Sequence, residues 1–348
     1  MAADLQPGAA PRTVFGLVVE ALVRRRDRGL APFTVVSCDN VQSNGEVAQR
    51  AFAAFAALRD PELGAWLERE VPFPNSMVDR ITPATTDADR AEVAARFGVE
   101  DGWPVVCEPF TQWVLEDRFG EGRPPLEEVG VQLVDDVEPY EFMKLRLLNA
   151  THQSLCYLAR LAGYELVHDA AQDPLFARFL LGYMAAEGTP TLHPVPGIDL
   201  AQYRQSVLDR CSNAELRDTV ARLAYDGSER LPKWLLPVVR DNLASGGEVW
   251  RSAAVVAAWA RYSEGVDEDG GTIEVADVRR DALRERAVRQ REEPLAFLGD
   301  RELFGDLADD ERFTRPYRAA LASLYEHGAR ATLEALVTGP LPEAVPVR

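Results

Sequence analysis

The sequence has few cysteines, no long apolar run and no recognisable targeting segment. The four cysteines lie far apart and form no Cys-x-x-Cys pair, which argues against a disulfide framework or a zinc ribbon. No apolar stretch approaches the roughly 20 residues of a membrane span. The first residues lack the basic and apolar regions of a secretion signal. We therefore expect a cytoplasmic protein with reduced thiols and no membrane partner.

Basic residues are also scarce relative to acidic ones. There are 38 Lys and Arg against 56 Asp and Glu, which gives a formal net charge of −18. Such a charge argues against nucleic acid as a general partner. Apolar residues make up 47% of the chain and charged residues 27%, as in ordinary globular proteins. A length of 348 residues favours two domains.

The first part of the chain, residues 1–133, has the pattern of an α/β domain. Short apolar, β-branched runs at 33–38, 103–107 and 112–115 predict strands. Apolar residues at helical spacing predict helices at 13–28 and 45–58, and a further helix that ends near residue 97. Alternation of this kind is typical of a parallel sheet flanked by helices.

The second part, residues 134–348, is predicted to be helical throughout, with no convincing strand. The long predicted helices are 140–162, 174–186, 214–224, 231–243, 248–262 and 276–291.

One predicted helix carries Lys144, Asn149 and His152. At 100° per residue, their side chains fall within an arc of about 140° and could share one wall of a pocket. The alternative is that Lys144 extends its amine to solvent, Asn149 lies on the surface and His152 is a core histidine.

Two further segments follow apolar runs. Asn40 lies just after the predicted strand 33–38, and ligands of α/β proteins bind at the carboxyl ends of parallel strands. The alternative is that Asp39 and Asn40 only begin a turn or cap the next helix. Asp79 and Arg80 follow a buried-looking run, where an ion pair at a strand end is the alternative.

Four ordered motifs resemble those of the mannitol dehydrogenase family, the long-chain polyol-specific dehydrogenases. They are SCDN at 37–40, VPFPNSMVDRITP at 71–83, EPFTQWVLED at 108–117 and the Lys-x4-Asn-x2-His spacing that begins at Lys144. The resemblance implies an incomplete Rossmann-like cofactor domain followed by a mostly α-helical C-terminal domain. It also implies an enzyme that oxidises a secondary alcohol of a polyol, as in mannitol to fructose, with NAD or NADP and no zinc.

The resemblance implies that three side chains accept the proton of the reaction and stabilise its developing negative charge. Lys144 is implied as the general base, and Asn40 and Asn149 as the oxyanion hole, with Asn40 also on the cofactor side. A lysine serves as a base when burial or a neighbouring cation lowers its pKa from about 10.4 towards 7–8. Two amides aimed at a developing alkoxide stabilise it without a metal.

The resemblance implies substrate contacts for the remaining positions. His152 and Asp79 would orient the substrate and the lysine. Arg222 and Arg230 would bind the substrate, with Lys233 as a competitor for the role of Arg230. No metal is expected, because the pair His152 and Cys156 has no evident third ligand.

The sequence lacks a glycine-rich dinucleotide motif. The nearest match, Gly120-Glu121-Gly122, leads into a polar, proline-containing loop. Since the family's glycine motif precedes its SCDN segment, we expect the C-terminal two-thirds of a family member, with a misassigned start or a true truncation. Alone, this chain is then expected to bind NADH weakly or not at all and not to turn over mannitol. Two alternatives remain open: a fructuronate or tagaturonate reductase, and an inactive remnant.

Overall fold

The computed structural model describes residues 2–6 and 8–341. The chain divides into two compact units. The first, here called the sheet unit, comprises Met1–Arg80 and Pro109–Glu141. The second, here called the helical unit, comprises Ile81–Glu108 and Phe142–Arg348. The domain boundary near residue 133 stays a prediction.

The sheet unit has three helices and a small sheet. The helices are α1 (Val14–Asp27), α2 (Asn44–Arg59) and α3 (Pro61–Glu70), and the strands are β1 (Ser76–Asp79), β2 (Gln112–Glu116) and β3 (Gln132–Val134). Short 3-10 turns cover Ala2–Leu5 and Leu126–Val129. The strand order is β1-β2-β3, with β1 antiparallel and β3 parallel to β2.

The core of the sheet unit lies between its three helices. Leu22 of α1, Ala56 of α2 and Leu67 of α3 are completely buried. Aromatic rings fill the space between them, with Phe15 and Phe52 centroids 4.7 Å apart. Thr13 and Asp60 accept hydrogen bonds from the first turns of α1 and α3, which fixes where these helices begin.

Two predicted strands are wrong. Residues 33–38 and 103–107 belong to no strand, although 112–115 lies within β2. Val35 donates its amide to the Pro72 carbonyl, but no strand ladder extends from that bond. Trp103 and Val105 are 68% and 66% exposed, so residues 103–107 do not pack into the core as a strand would. The sheet is also mixed rather than parallel throughout, because β1 is antiparallel to β2.

The helical unit contains no strand among its described residues. Its helices are α4 (Asp87–Phe97), α5 (Glu138–Met143, which begins in the sheet unit), α6 (Ala150–Leu161), α7 (Val167–Gln172), α8 (Pro174–Tyr183), α9 (Leu200–Cys211), α10 (Val220–Ala224), α11 (Gly227–Trp234), α12 (Leu236–Ser245), α13 (Trp250–Tyr262), α14 (Arg280–Arg289), α15 (Arg301–Phe304) and α16 (Glu311–Leu336). Two π-helical segments, Lys144–Asn149 and Met184–Gly188, follow α5 and α8 without a break. Within the described ranges, no helix is both long and apolar enough to cross a membrane.

Helix α13 forms the centre of the helical unit. Residues 253–260 are buried on all sides, and α13 packs against both α6 and α16. Trp259 stacks edge-on against Phe297, with centroids 5.0 Å apart. The sequence analysis predicted α13 but not α9 or α16. Helix α16 contains Pro316 and a kink at Gly328, where φ is 81°, and both features interrupt a helical pattern.

A buried ion pair ties residues 81–108 to the rest of the helical unit. Arg210 of α9 donates to both carboxylate oxygens of Glu108 at 2.8–3.1 Å. Glu108 also accepts the Ile81 amide at 2.6 Å. Both partners of the ion pair are nearly fully buried. Removal of either partner from a buried pair leaves the other charge buried without its counter-ion, which destabilises the fold.

We expect Arg210→Ala to lower the free energy of unfolding by about 3–5 kcal/mol, because it leaves the Glu108 carboxylate buried without its counter-ion. Urea denaturation measures this loss. The control is Arg289→Ala, which removes an exposed pair with Glu293 and should cost less than about 1 kcal/mol. Equal losses in the two variants would contradict a structural role for the buried pair.

Candidate functional site

In the sheet unit, Asn44 at the start of α2 holds the segment that leads to Asn40. Its side-chain amide donates to the carbonyls of Ser37, Asp39 and Ser76 at 2.8–3.0 Å. Its Oδ1 accepts the Ser76 amide at 2.9 Å. The Asn44 side chain is 1% exposed. One buried amide therefore ties the Ser37 and Asp39 carbonyls to the first residue of β1.

The segments that carry Asn40 and Asp79 are joined by a hydrogen bond. Ser76 Oγ donates to the Ser37 carbonyl at 2.6 Å, which fixes the register between the two segments. Asn40 and Asp79 each lie three residues beyond that contact. Asn40 is exposed, whereas Asp79, at the end of β1, is 5% exposed. The two segments are thus joined three residues before an exposed amide and a buried carboxylate.

A second buried carboxylate contacts the loop after Asn40. Glu141 accepts the Ser43 amide with both oxygens, at 3.1 and 3.2 Å. Ser43 has a φ of 51°, in the left-handed region that is uncommon for residues other than glycine. Burial, the largest cause, raises the pKa of Glu141 to about 7. The sequence analysis did not identify this carboxylate.

In the helical unit, Lys144 and Asn149 occupy the two ends of a π-helical segment. Hydrogen bonds inside it reach five residues back, as from the Ala150 amide to the Leu145 carbonyl. A π turn therefore places residues five apart on one side of the helix. Lys144 and Asn149 are five apart, and each is 6% exposed. The α-helical geometry assumed from the sequence is therefore wrong here, and π geometry turns the pair toward one side of the helix.

His152 follows one turn later on α6 and lines a small pocket of the helical unit. Arg210 and Asp218 line the same pocket. Asp218 is buried and holds Arg222 through both carboxylate oxygens. The fold thus brings His152 close to the carboxylate that orients Arg222.

Arg230 and Lys233 lie on α11 in different surroundings. The Arg230 guanidinium donates to the carbonyls of Arg222 and Leu223 at 3.1 and 3.0 Å. It also lies over the rings of Tyr225 and Trp234. Lys233, in contrast, is 65% exposed and pairs with Glu229 one turn earlier. Arg230 is therefore tied to the Arg222 backbone and Lys233 is not.

The described residues contain no cluster of three or more metal-ligating side chains. The thiol of Cys156 is completely buried, and burial raises its pKa, so its deprotonation to a metal-binding thiolate is disfavoured. The absence of a metal requirement stays a prediction that an experiment must test.

The sequence analysis missed Asn44, Ser76, Glu141 and Asp218. Asp218 could have been found, because it lies four residues before Arg222 at the spacing of a helical ion pair. Asn44 and Ser76 carried no such signal. Their partners lie 32 residues away in the chain.

Fold and site together define a two-part protein with an α/β unit and a helical unit that carries a buried lysine and amide. Residues 8–128 match the family model of the mannitol dehydrogenase Rossmann domain, and residues 136–325 that of the mannitol dehydrogenase C-terminal domain. The chain belongs to the mannitol dehydrogenase family. The predicted fold class, a Rossmann-like part followed by a helical part, is confirmed.

Curated and solved relatives support the same assignment. The mannitol 2-dehydrogenases of Phaeosphaeria nodorum and Aspergillus fumigatus are each 43% identical, over 96% and 95% of this chain. This chain spans 59% and 67% of their lengths. The structure of Pseudomonas fluorescens mannitol 2-dehydrogenase in ternary complex with NAD and D-mannitol is 44% identical, with a TM-score of 0.84. That match covers 97% of this chain and 69% of the other.

We expect Asn44→Ala to loosen residues 37–39 by removing their shared donor. A lost buried hydrogen bond costs about 1–3 kcal/mol, so amide exchange in this segment should quicken by roughly tenfold or more. Hydrogen exchange with mass spectrometry measures the rate. Asn242→Ala, which removes a buried asparagine of the helical unit, is the control and should leave residues 37–39 unchanged. Equal protection in wild type and Asn44→Ala would show that the segment is held by other contacts.

Proposed function

We propose that this chain carries the catalytic groups for NAD-dependent oxidation of a secondary alcohol of a mannitol-type polyol to the ketose. The observation that carries the proposal is the π turn that puts Lys144 and Asn149, both buried, on one side of the helix. The names of the relatives favour a polyol over a hexuronate. We further propose a cytoplasmic protein whose partners are small molecules rather than nucleic acid, in keeping with its charge of −18.

Lys144 is proposed as the general base. Oxidation moves a hydride from the carbinol carbon to NAD⁺ while the hydroxyl proton leaves for a base. The Lys144 amine takes that proton and becomes an ammonium. The lysine is 6% exposed, on the helix that also carries Asn149.

Asn149 and Asn40 are proposed as donors to the oxygen that becomes negative as its proton leaves. An amide N–H aimed at that oxygen stabilises the transition state more than the alcohol. Asn149 lies on the same helical face as the base, so one hydroxyl could meet both groups. Asn40, on the segment held by Asn44, is proposed to act from the cofactor side.

His152, Asp79, Arg222 and Arg230 are proposed to bind the substrate. The carboxylate of Asp218 fixes the Arg222 guanidinium in one orientation, which suits recognition of several hydroxyls in sequence. Arg230 is preferred over Lys233, because Lys233 lies exposed beside Glu229.

The described residues fit only part of a dinucleotide. Asn40 is proposed to contact the cofactor from the segment held by Asn44. No glycine-rich strand–turn–helix lies within the described ranges, and Gly120 and Gly122 precede a 3-10 turn rather than an α-helix. We propose NAD over NADP because the solved relative was bound to NAD.

The decisive experiment measures NADH formation from mannitol and NAD⁺ after dialysis against a strong chelator. Both the 348-residue chain and a form extended upstream in its reading frame are assayed. Lys144→Ala should lower kcat by at least about 10², because proton transfer then lacks its acceptor, and small amines should restore part of the rate. Lys233→Ala, which removes the chain's other lysine, should leave kcat unchanged.

A near-normal kcat in Lys144→Ala would overturn the assignment of the base. Activity that disappears together with stoichiometric zinc would overturn the metal-free mechanism. Equal kcat/KM in the two forms would show that the 348-residue chain contains a complete cofactor site.

We expect Asn40→Ala and Asn149→Ala each to lower kcat by roughly 10²–10³, because each removes a donor that acts mainly in the transition state. Steady-state kinetics separates kcat from the KM for mannitol. Rises in KM alone would make both asparagines binding residues rather than an oxyanion hole.

A further inference from the structure

The π turn between Lys144 and Asn149 has an external hydrogen bond on its backbone. The Tyr183 hydroxyl donates to the Arg146 carbonyl, with an O–O distance of 3.1 Å. Tyr183 lies at the end of α8 and is completely buried. Burial raises the pKa of its phenol, so the hydroxyl keeps the proton that it donates.

Tyr183 begins a segment, residues 183–191, that contacts the π turn at several points. We call it the clamp segment. The Arg146 guanidinium donates to the Thr191 carbonyl at 2.7 Å. A Cβ on Gly188 would lie 2.9 Å from Leu147 Cδ2 and 3.3 Å from the Arg146 carbonyl oxygen. Glycine at 188 therefore lets the clamp segment approach the π turn closely.

The clamp segment is itself anchored to the core helix α13. The Glu187 carboxylate, completely buried, accepts the amides of Arg251 and Ser252 and the Ser252 hydroxyl at 2.5–2.9 Å. Asn242 donates to the Glu187 carbonyl at 2.9 Å. A segment held at both its backbone and its carboxylate forms a rigid support for Tyr183.

The shape of the turn decides whether the two proposed catalytic groups lie together. In an ordinary α-helix, residues five apart point about 140° away from each other. In a π turn they share a side. A π turn has fewer well-placed internal hydrogen bonds, so it needs outside donors for its carbonyls. Within the clamp segment, the Thr189 side-chain hydroxyl donates to the Met184 carbonyl at 2.7 Å.

We propose that Tyr183 is a positioning residue, whose hydroxyl holds the π turn and thereby aligns the Lys144 amine with the Asn149 amide. This inference rests on the proposed function for the roles of Lys144 and Asn149. Tyr183 acts through the Arg146 backbone, and its role requires no contact with the substrate.

The chain contains only two lysines, Lys144 and Lys233, which permits a direct test. Protein made with lysine labelled with ¹³C at Cε gives two lysine signals by NMR, and Lys144→Arg identifies the signal of Lys144. Tyr183→Phe removes the hydroxyl alone. We expect it to shift the Lys144 signal and leave that of Lys233 in place.

Tyr317→Phe is the matched control. Tyr317 is also completely buried, and its hydroxyl donates to Gln290 at 3.1 Å, away from the π turn. Tyr317→Phe should lower the melting temperature by about as much as Tyr183→Phe does, and it should leave the Lys144 signal in place. An unmoved Lys144 signal in Tyr183→Phe, or an equal shift in Tyr317→Phe, would overturn the proposal. Gly188→Ala, which crowds the same turn, should shift the Lys144 signal as Tyr183→Phe does.

Kinetics supplies a second readout in whichever form turns over mannitol. Tyr183→Phe should lower kcat by about 10- to 100-fold, since misplacement of a base slows the reaction, and change the KM for mannitol less than about twofold. A change confined to KM would contradict a positioning role. Absence of turnover in every form would reject the proposed function, while the NMR result would still decide the role of Tyr183.

Discussion

The candidate site depends above all on how one helix is wound. The continuous helix from Glu138 to Leu161 changes to π geometry over Lys144–Asn149 and returns to α geometry for His152. Without that change, the lysine and the amide would point in different directions. Because π geometry is unfavourable on its own, the surrounding helices must compensate for it. Two hydrogen bonds with the clamp segment offset that cost: the Tyr183 hydroxyl donates to the Arg146 carbonyl, and the Arg146 guanidinium donates to the Thr191 carbonyl.

Buried carboxylates perform most of the remaining positioning. Glu187 binds the amino end of α13, Glu108 binds Arg210, and Asp218 binds Arg222. Each sets its carboxylate oxygens against a helix terminus or a guanidinium, where several directed hydrogen bonds compensate for desolvation. The acidic residues of the chain therefore fall into two groups with different effects. Surface carboxylates set net charge and solubility, whereas these few set the geometry of the site.

In the sheet unit, side chains rather than a neighbouring strand bind part of the backbone. Residues 33–38 have the composition of a strand, yet the Ser37 carbonyl accepts from the Asn44 amide and the Ser76 hydroxyl rather than from a neighbouring strand. Strand propensity reports what a residue tolerates on a pleated surface, and it does not supply the neighbouring strand. The same applies to residues 103–107, where Trp103 stays exposed. The prediction at 112–115 is correct because this segment has a partner strand on each side.

The sequence by itself determined the helices with clear periodicity and caps, such as α4, whose first turn is closed by the reciprocal bonds of Thr86 and Asp89. It also determined the motifs that define the family, and with them the candidate residues Lys144, Asn149 and His152. Only the tertiary structure decided how those residues meet. The Tyr183–Arg146 and Asn44–Ser76 bonds join residues 37 and 32 positions apart. Local sequence carries the preference of each residue for helix or strand, whereas a buried donor and its acceptor are paired only when the whole chain packs.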